Sequence, residues 1–181
     1  MTMAQLTDRI IRAAKLDVSL YEEVEADREA LAQAMGVVVL SSLAAGIGTA
    51  LRGGIGGLVW GAVAALVGWY VWAWLTYLVG TKVLPEPKTH ADVGQLLRTI
   101  GFSSSPGLIR VLGIIPGFTF LVFFVASVWM LVAMVVAVKQ ALDYTSTLRA
   151  LGVVLIGWVV QGVILYFLFA LLAGPRGGTG L

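Results

Sequence analysis

The sequence predicts an all-α fold: a polytopic transmembrane helical bundle of five spans, the third broken at Pro106, behind a short N-terminal amphipathic helix. Three observations predict it. Hydrophobic residues make up 59% of the 181 and charged residues only 12%, with a mean hydropathy of +0.95. An ordinary soluble domain is about 25% charged. Asp, Glu, Lys, Arg and His are absent from 30–51, 53–81, 111–138 and 150–175, and about 20 apolar residues suffice to cross the hydrocarbon core of a bilayer. The short alternating strands of a membrane barrel are missing, so a crossing segment must satisfy its own backbone as a helix does.

The chain opens on a cytosolic segment, 1–29. On a helix, Met3, Leu6, Ile10, Ala13 and Ala14 share one face, with Arg9, Arg12 and Lys15 on the other. Such a helix either lies on an anionic cytoplasmic leaflet or packs on the protein's own loops. Six acidic residues follow between Asp17 and Glu29, and no compact apolar run precedes a small-residue cleavage site, so a signal peptide is not expected. Asp27 has the chemistry of an N-cap for the first span, because its carboxylate can accept orphan backbone N–H groups.

The transmembrane domain covers 30–175, with spans at about 31–51, 55–80, 96–115, 117–138 and 149–173 and a short tail at 176–181. Gly53, Gly57 and Gly61 put small residues on one face of the second span, where helices in lipid can approach closely. Trp60, Trp69, Trp72, Trp74 and Tyr77 follow; aromatic residues favour the headgroup boundary, but several of these fall mid-span and are expected to pack. The segment 92–115 holds Arg98, Ser103, Ser104, Ser105, Pro106 and Arg110. It is either a broken fifth crossing or an interfacial helical hairpin. If it crosses, nine of the twelve basic residues fall on the N-terminal side and only Arg52 and Arg176 on the other; if it does not, the split is nine against three. Lys and Arg accumulate on the cytoplasmic side, so either arrangement puts the N-terminus in the cytoplasm, and five spans fit slightly better.

Few chemistries are available. There is no cysteine and a single histidine, His90, which excludes thiolate sites, multi-histidine zinc and bis-histidine haem. Catalytic residues, metal ligands and cofactors are therefore expected to be none. Glu22, Glu23, Glu25, Asp27 and Glu29 lack the spacing and turn glycine of a calcium loop and read better as a solvated acidic face pairing with the basic helix before it. The three serines have no histidine or lysine base near in sequence, so a serine triad is not expected. Gly53–Gly57 is not followed by the Gly-Lys-Ser/Thr of a phosphate loop.

Arg110 stands out. A charge at the bilayer centre costs about 2.5–3.5 kcal/mol on insertion scales and faces protein or water. Broken helices line substrate sites in transporters, which makes Arg110, Arg98 and Ser103 to Ser105 candidate contacts for an anion or lipid headgroup. The bland alternative is an arginine that snorkels to the interface or caps a helix end. Gln161 is the other strongly polar residue deep in a span.

The order of features resembles a known family. Leu16-Asp-Val-Ser-Leu-Tyr-Glu-Glu-Val-Glu-Ala-Asp27 leads into a small-residue-rich span. Later come Arg98-Thr-Ile-Gly-Phe-Ser-Ser-Ser-Pro106, then Pro116-Gly117, a span with Trp129, a polar turn from Lys139 to Thr147, and Leu148-Arg-Ala-Leu151 opening the last span. Over about 16–172 this resembles the Yip family (Ypt-interacting proteins) in its prokaryotic form. The resemblance implies five transmembrane helices, a cytosolic N-terminus and a non-cytosolic C-terminus. Eukaryotic relatives act in vesicle traffic and bind prenylated Rab GTPases through Asp-Leu-Tyr-Gly-Pro. This sequence has Leu20-Tyr21-Glu22-Glu23, so the resemblance carries topology further than GTPase binding.

The expected function is non-enzymatic: a multi-pass protein of the plasma (inner) membrane that organises protein or lipid partners. The alternative is a small transporter, channel or lipid-handling protein using Arg110. Membrane lipids are the first partners, with a membrane or cytosolic protein contacting Tyr21, Glu22, Glu23 and Asp27 as a second. Homo-oligomerisation is left open, and nucleic acid is not a partner.

Overall fold

The computed structural model describes residues 3–49 and 54–172. Seven α-helices account for most of them: α1 (Met3–Ala14), α2 (Val18–Ala26), α3 (Ala30–Gly48), α4 (Gly54–Leu78), α5 (Val93–Phe102), α6 (Thr119–Ala141) and α7 (Thr147–Leu172). A π-helical turn, Val79–Val83, extends α4, and a 3₁₀ segment, Ser105–Ile114, follows α5. Among the described residues there is no strand. Four helical stretches are long and apolar enough to cross a membrane: Ala30–Gly48, Gly54–Val83, Thr119–Ala141 and Thr147–Ile164. Gly53, Arg52, Arg176 and the tail lie outside the described residues.

The remaining expected span, 96–115, is α5 followed by the 3₁₀ segment. Asp92 and Gln95 form a reciprocal capping box at the start of α5, satisfying two orphan donors at once. The α-helix ends at Phe102, four residues before Pro106. Proline has no N–H for the Phe102 carbonyl, and its ring clashes with that carbonyl in a continuing helix. Pro106 instead occupies the first turn of the 3₁₀ segment.

Glycines set where this segment runs. A Cβ added at Gly101 would lie 2.6 Å from the Ala34 Cβ, one at Gly107 would strike the Ser41 hydroxyl, and one at Gly48 would strike the Arg110 carbonyl. The pairs 101 with 34, 107 with 41 and 110 with 48 advance together, so the segment runs parallel to α3 along most of its length. Against α6 it runs the opposite way: Gly107 faces Met130 and Gly113 faces Phe123. Pro116-Gly117 then reverses the chain. Phe118 N–H reaches the Ile115 carbonyl at 3.1 Å and Gly117 has φ 84°, the positive φ that a type II turn demands at its third residue.

At the opposite end, the loops lock together. The Tyr144 hydroxyl donates to the carbonyls of Gly80 (2.9 Å) and Leu84 (2.7 Å), closing the end of α6 onto the π-turn. The Glu86 carboxylate accepts from Thr145 N–H and Oγ1 and from Ser146 N–H. The main core lies just inside this end, built on Trp72, Leu96, Leu97, Ile100, Val138, Leu142 and Val153. A second core, built on Leu20, Tyr21, Val24, Ala34, Phe102 and Ala137, seats α2 on the bundle.

Asp27 is not the formal cap of the first long helix. It closes α2, and its carboxylate accepts the Glu29 N–H at 3.0 Å; Glu29 precedes α3 without a side-chain cap bond. Three residues, 27–29, separate α2 from α3, and Asp27 serves that turn.

The seam predicts a contrast. Gly48→Ala would push backbone against backbone and should lower stability by about 1–3 kcal/mol, the usual range for overpacking. Gly36→Ala, where no atom lies within 4 Å, should be neutral or stabilise by up to about 1 kcal/mol. Thermal unfolding of both variants in detergent checks this, and equal behaviour would refute the seam.

Candidate functional site

The break after Phe102 places polar atoms inside the bundle. Ser103 bonds back to the Ile100 carbonyl at 2.7 Å, a local bond that a serine offers where a helix ends. Gly107 and Gly113 let the 3₁₀ segment press between α3 and α6, and Arg110 is carried in with it. The Arg110 guanidinium carbon lies 5.7 Å from the centre of the Phe123 ring, while its Nε is buried with no hydrogen-bond partner. A cation–π contact contributes about 0.5–2 kcal/mol. The insertion cost of an arginine at mid-membrane is about 2.5–3.5 kcal/mol, and a buried unpaired donor adds about 1–3 kcal/mol. Phe123 therefore does not offset the arginine by itself.

Arg110 opens onto a cavity of about 380 Å³ at the junction of α3, α4, α6 and α7. Ser41, Ser42, Ser104, Trp72 and Gln161 share its lining. The Trp72 indole N–H is a second buried donor without an acceptor. No Asp or Glu lines the cavity, so its chemistry is that of a cation and neutral polar groups. A neighbouring cavity of about 310 Å³ brings Ser103 and Ser127 to the other side of Arg110. A third, of about 300 Å³, is lined by Ser42, Ala45, Thr49, Gly57 and Gly61. Gly57 and Gly61 thus border open space: a Cβ on Gly57 would meet nothing within 4 Å, and one on Gly61 only the Ser42 hydroxyl at 3.7 Å.

The match that decides the family covers this whole arrangement: the model of the Yip1 domain aligns with residues 21–174. The chain belongs to the Yip1 domain family. Comparison with the curated proteins and with the solved structures gives no match. The aligned Yip1 domain begins inside α2, so it takes in every helix around Arg110 and leaves α1 outside.

Two of the sequence candidates from the broken segment do not reach the Yip1-domain cavities. Arg98 donates from Nε to the Val24 carbonyl at 2.9 Å and from Nη2 to the Glu25 carbonyl. It caps the last turn of α2, where a cation meets the negative end of the helix dipole, and it is 7% exposed. The Ser105 hydroxyl is buried without a partner and lines none of the three cavities. Ser41, Ser42 and Trp72 were not singled out for the site; the adjacent Ser41-Ser42 pair, mid-way along an uncharged stretch, was the available signal.

The residues expected to form a partner surface are engaged with the protein itself. Tyr21 is buried, donating to the Ala13 carbonyl at 3.2 Å, and burial raises its pKa well above the usual phenol value. Arg9 bridges Glu23 at 2.8 Å and Asp27 at 2.9 Å, and Arg12 bridges Asp17 and Glu23. Ala13 is buried and Leu6 and Ile10 pack on the second core. The Trp129 indole N–H caps the Ala14 carbonyl at 2.8 Å. Of the two settings the amphipathic pattern allowed, α1 takes the one against its own protein. Glu22 alone of the four acid or phenol candidates is exposed with no ion pair among the described residues.

Charge within this clasp is tuned in two directions. Hydrogen bonds from Ser19 and Arg12 hold Asp17 down at about 2. Glu25 accepts from Gln95 Nε2 at 2.9 Å, yet half-burial, with Asp143 nearby, pushes it up to about 7. A carboxyl whose pKa is raised on folding favours the folded state while protonated, and that contribution is lost as pH rises through about 7. Glu25→Gln should therefore unfold at a higher temperature than the parent above about pH 7, with the two converging as pH falls to the ordinary value of 4.5. A constant difference across that range would refute the assignment. Arg9→Ala should speed hydrogen exchange of residues 6–14 severalfold while α3 is unaffected; unchanged exchange would show that apolar packing alone holds α1.

Proposed function

We propose that this Yip1-domain protein is a non-enzymatic lipid organiser of the plasma (inner) membrane, holding an anionic headgroup at Arg110. The observation that carries the reading is a half-buried Arg110, its Nε without a hydrogen-bond partner, in the wall of a polar cavity with no carboxylate in its lining. An arginine so placed is normally matched by an anion, by backbone or by water, and lipid supplies the anion in a bilayer. Any protein partner would meet Glu22 and the loops around Lys88 and Lys139.

The same reading takes the protein across the bilayer five times, with the N-terminus cytoplasmic, the C-terminus opposite and the third crossing broken at Pro106. It is supported by the parallel course of 101–113 beside α3. Ten α-helical residues give about 15 Å and ten 3₁₀ residues about 20 Å, together comparable with a hydrocarbon core of about 30 Å. The distribution of Lys and Arg supports the same sidedness. A second reading, a small transporter or channel, draws on the shared lining of the three cavities, with Ser42 common to two and Arg110 to two.

Two measurements test these proposals. Lipid extraction from purified wild-type protein should recover anionic phospholipid, and Arg110→Ala should lose most of it; equal recovery removes the lipid reading. Because the chain has no cysteine, Ile115→Cys can be labelled alone. It should react with an impermeant thiol reagent from the same side as Thr49→Cys and the opposite side from Glu86→Cys. Reaction from the Glu86 side would reduce the count to four crossings. Solute flux or lipid scrambling in liposomes above the empty-vesicle rate, abolished by Arg110→Ala, would favour the transporter.

A further inference from the structure

We infer that the Arg110 cavity is a one-ended binding site for the phosphate of a membrane phospholipid, reached from the Thr49 end of α3 and closed towards the Glu86 end. The inference rests on the lipid reading above and adds the ligand group, further contact residues and the direction of access.

The ligand class follows from the donors. Arg110 Nε and Trp72 Nε1 are buried without acceptors, and an indole N–H is a donor only. Ser41, Ser42, Ser104 and Gln161 complete the lining. A group rich in acceptor oxygens and negatively charged answers all of these, and a phosphodiester is such a group; arginine binds it well because its planar fork matches the oxygens. Among the residues lining the three cavities none is acidic, so nothing there repels it.

Direction follows from the cavity walls. Ser42 and Ala45 line both the central cavity and the one bounded by Thr49, Gly46 and Gly57, so open space adjoins the central cavity on the Thr49 side. On the other side the central cavity ends at Trp72 and Ile100, both members of the packed core with Leu96, Leu97 and Val138. A solute entering from the Thr49 side meets that core and stops.

A lipid, rather than a free ion, is favoured by a further wall. Trp69 lines the central cavity and also a groove of about 420 Å³ formed by Leu31, Met35, Leu66, Val67, Tyr70 and others. That groove is nearly all apolar and lies on the outer face of the bundle, where Met35, Val67 and Tyr70 are exposed; it suits an acyl chain lying against the far side of Trp69, outside the closed end of the cavity. Trp69 is held in place by its N–H bond to the Leu97 carbonyl at 2.9 Å.

The test uses the full chain with one introduced cysteine, Ser42→Cys, in phosphatidylcholine vesicles with or without phosphatidylglycerol. An impermeant thiol reagent should label it from the Thr49 side only. Phosphatidylglycerol should slow labelling severalfold, and adding Arg110→Ala should remove that protection. Trp72→Phe, which keeps an aromatic ring of smaller size and removes the indole N–H, should weaken it while Thr49→Cys labels normally. Protection by inorganic phosphate in pure phosphatidylcholine, with none from phosphatidylglycerol, would overturn the lipid assignment. Labelling from the Glu86 side would overturn the one-ended route while leaving loss of lipid in Arg110→Ala intact. Lipid retained by Arg110→Ala would overturn both readings together.

Discussion

The close approach of the 3₁₀ segment Ser105–Ile114 to α3 is the constraint on which the rest of the bundle depends. Backbone meets near-bare backbone where Gly48 faces Arg110 and Gly113, and Gly107 leaves room for the Ser41 and Met130 side chains, a close approach that small residues allow helices in lipid. That approach draws Arg110 between α3 and α6 and leaves a cavity where side chains would otherwise meet. The α-helix ends at Phe102 and 3₁₀ geometry takes over from Ser105; Pro106 has no donor for the Phe102 carbonyl and would crowd it in a straight α-helix. A 3₁₀ segment climbs faster per residue, so residues 107–113 carry the chain from Ser41 to Gly48 at the end of α3. The break and the site are thus one structural event.

Around the other end of the molecule, polar groups work in the opposite manner. Arg98, Tyr144 and Glu86 each satisfy backbone carbonyls or N–H groups across elements, and none is left with an unmet buried charge. The contrast with Arg110 and Trp72 is what distinguishes a site from a joint. Helix α1 belongs with the joints. It lies outside the aligned Yip1 domain yet is held to it by three ion pairs from Arg9 and Arg12 to Glu23 and Asp27 and by apolar contacts at Leu6, Ile10 and Ala13. Exposed ion pairs contribute little each; here they select a face, and burial of Ala13 and Tyr21 supplies the packing.

Much of the architecture was legible in particular residues. Uncharged length marked four long helices, with ends within a few residues of those observed. Arg110 and Gln161 stood out as polar groups deep in apolar runs, and the fold brings both to one cavity. Other residues were not legible. Arg98 and Arg110 sit in similar local sequence, yet one caps α2 and the other faces a cavity, because only the docking of α2 supplies carbonyls to Arg98. Glu23 and Asp27 look like a free acidic surface until α1 folds back through Leu16, a non-glycine residue at φ 62°, and brings two arginines onto them.

The sequence by itself determined that the chain is helical and membrane-embedded, because these depend on length and composition, which are properties of one dimension. Only the tertiary structure decided which polar residues meet. The long helices are apolar on every face, so periodicity does not say which side turns inward. In lipid the hydrophobic effect does not orient them either; small residues and hydrogen bonds do. The union of Arg110, Gln161, Trp72 and the Ser41-Ser42 pair around one cavity is therefore a consequence of how four helices and a broken segment pack.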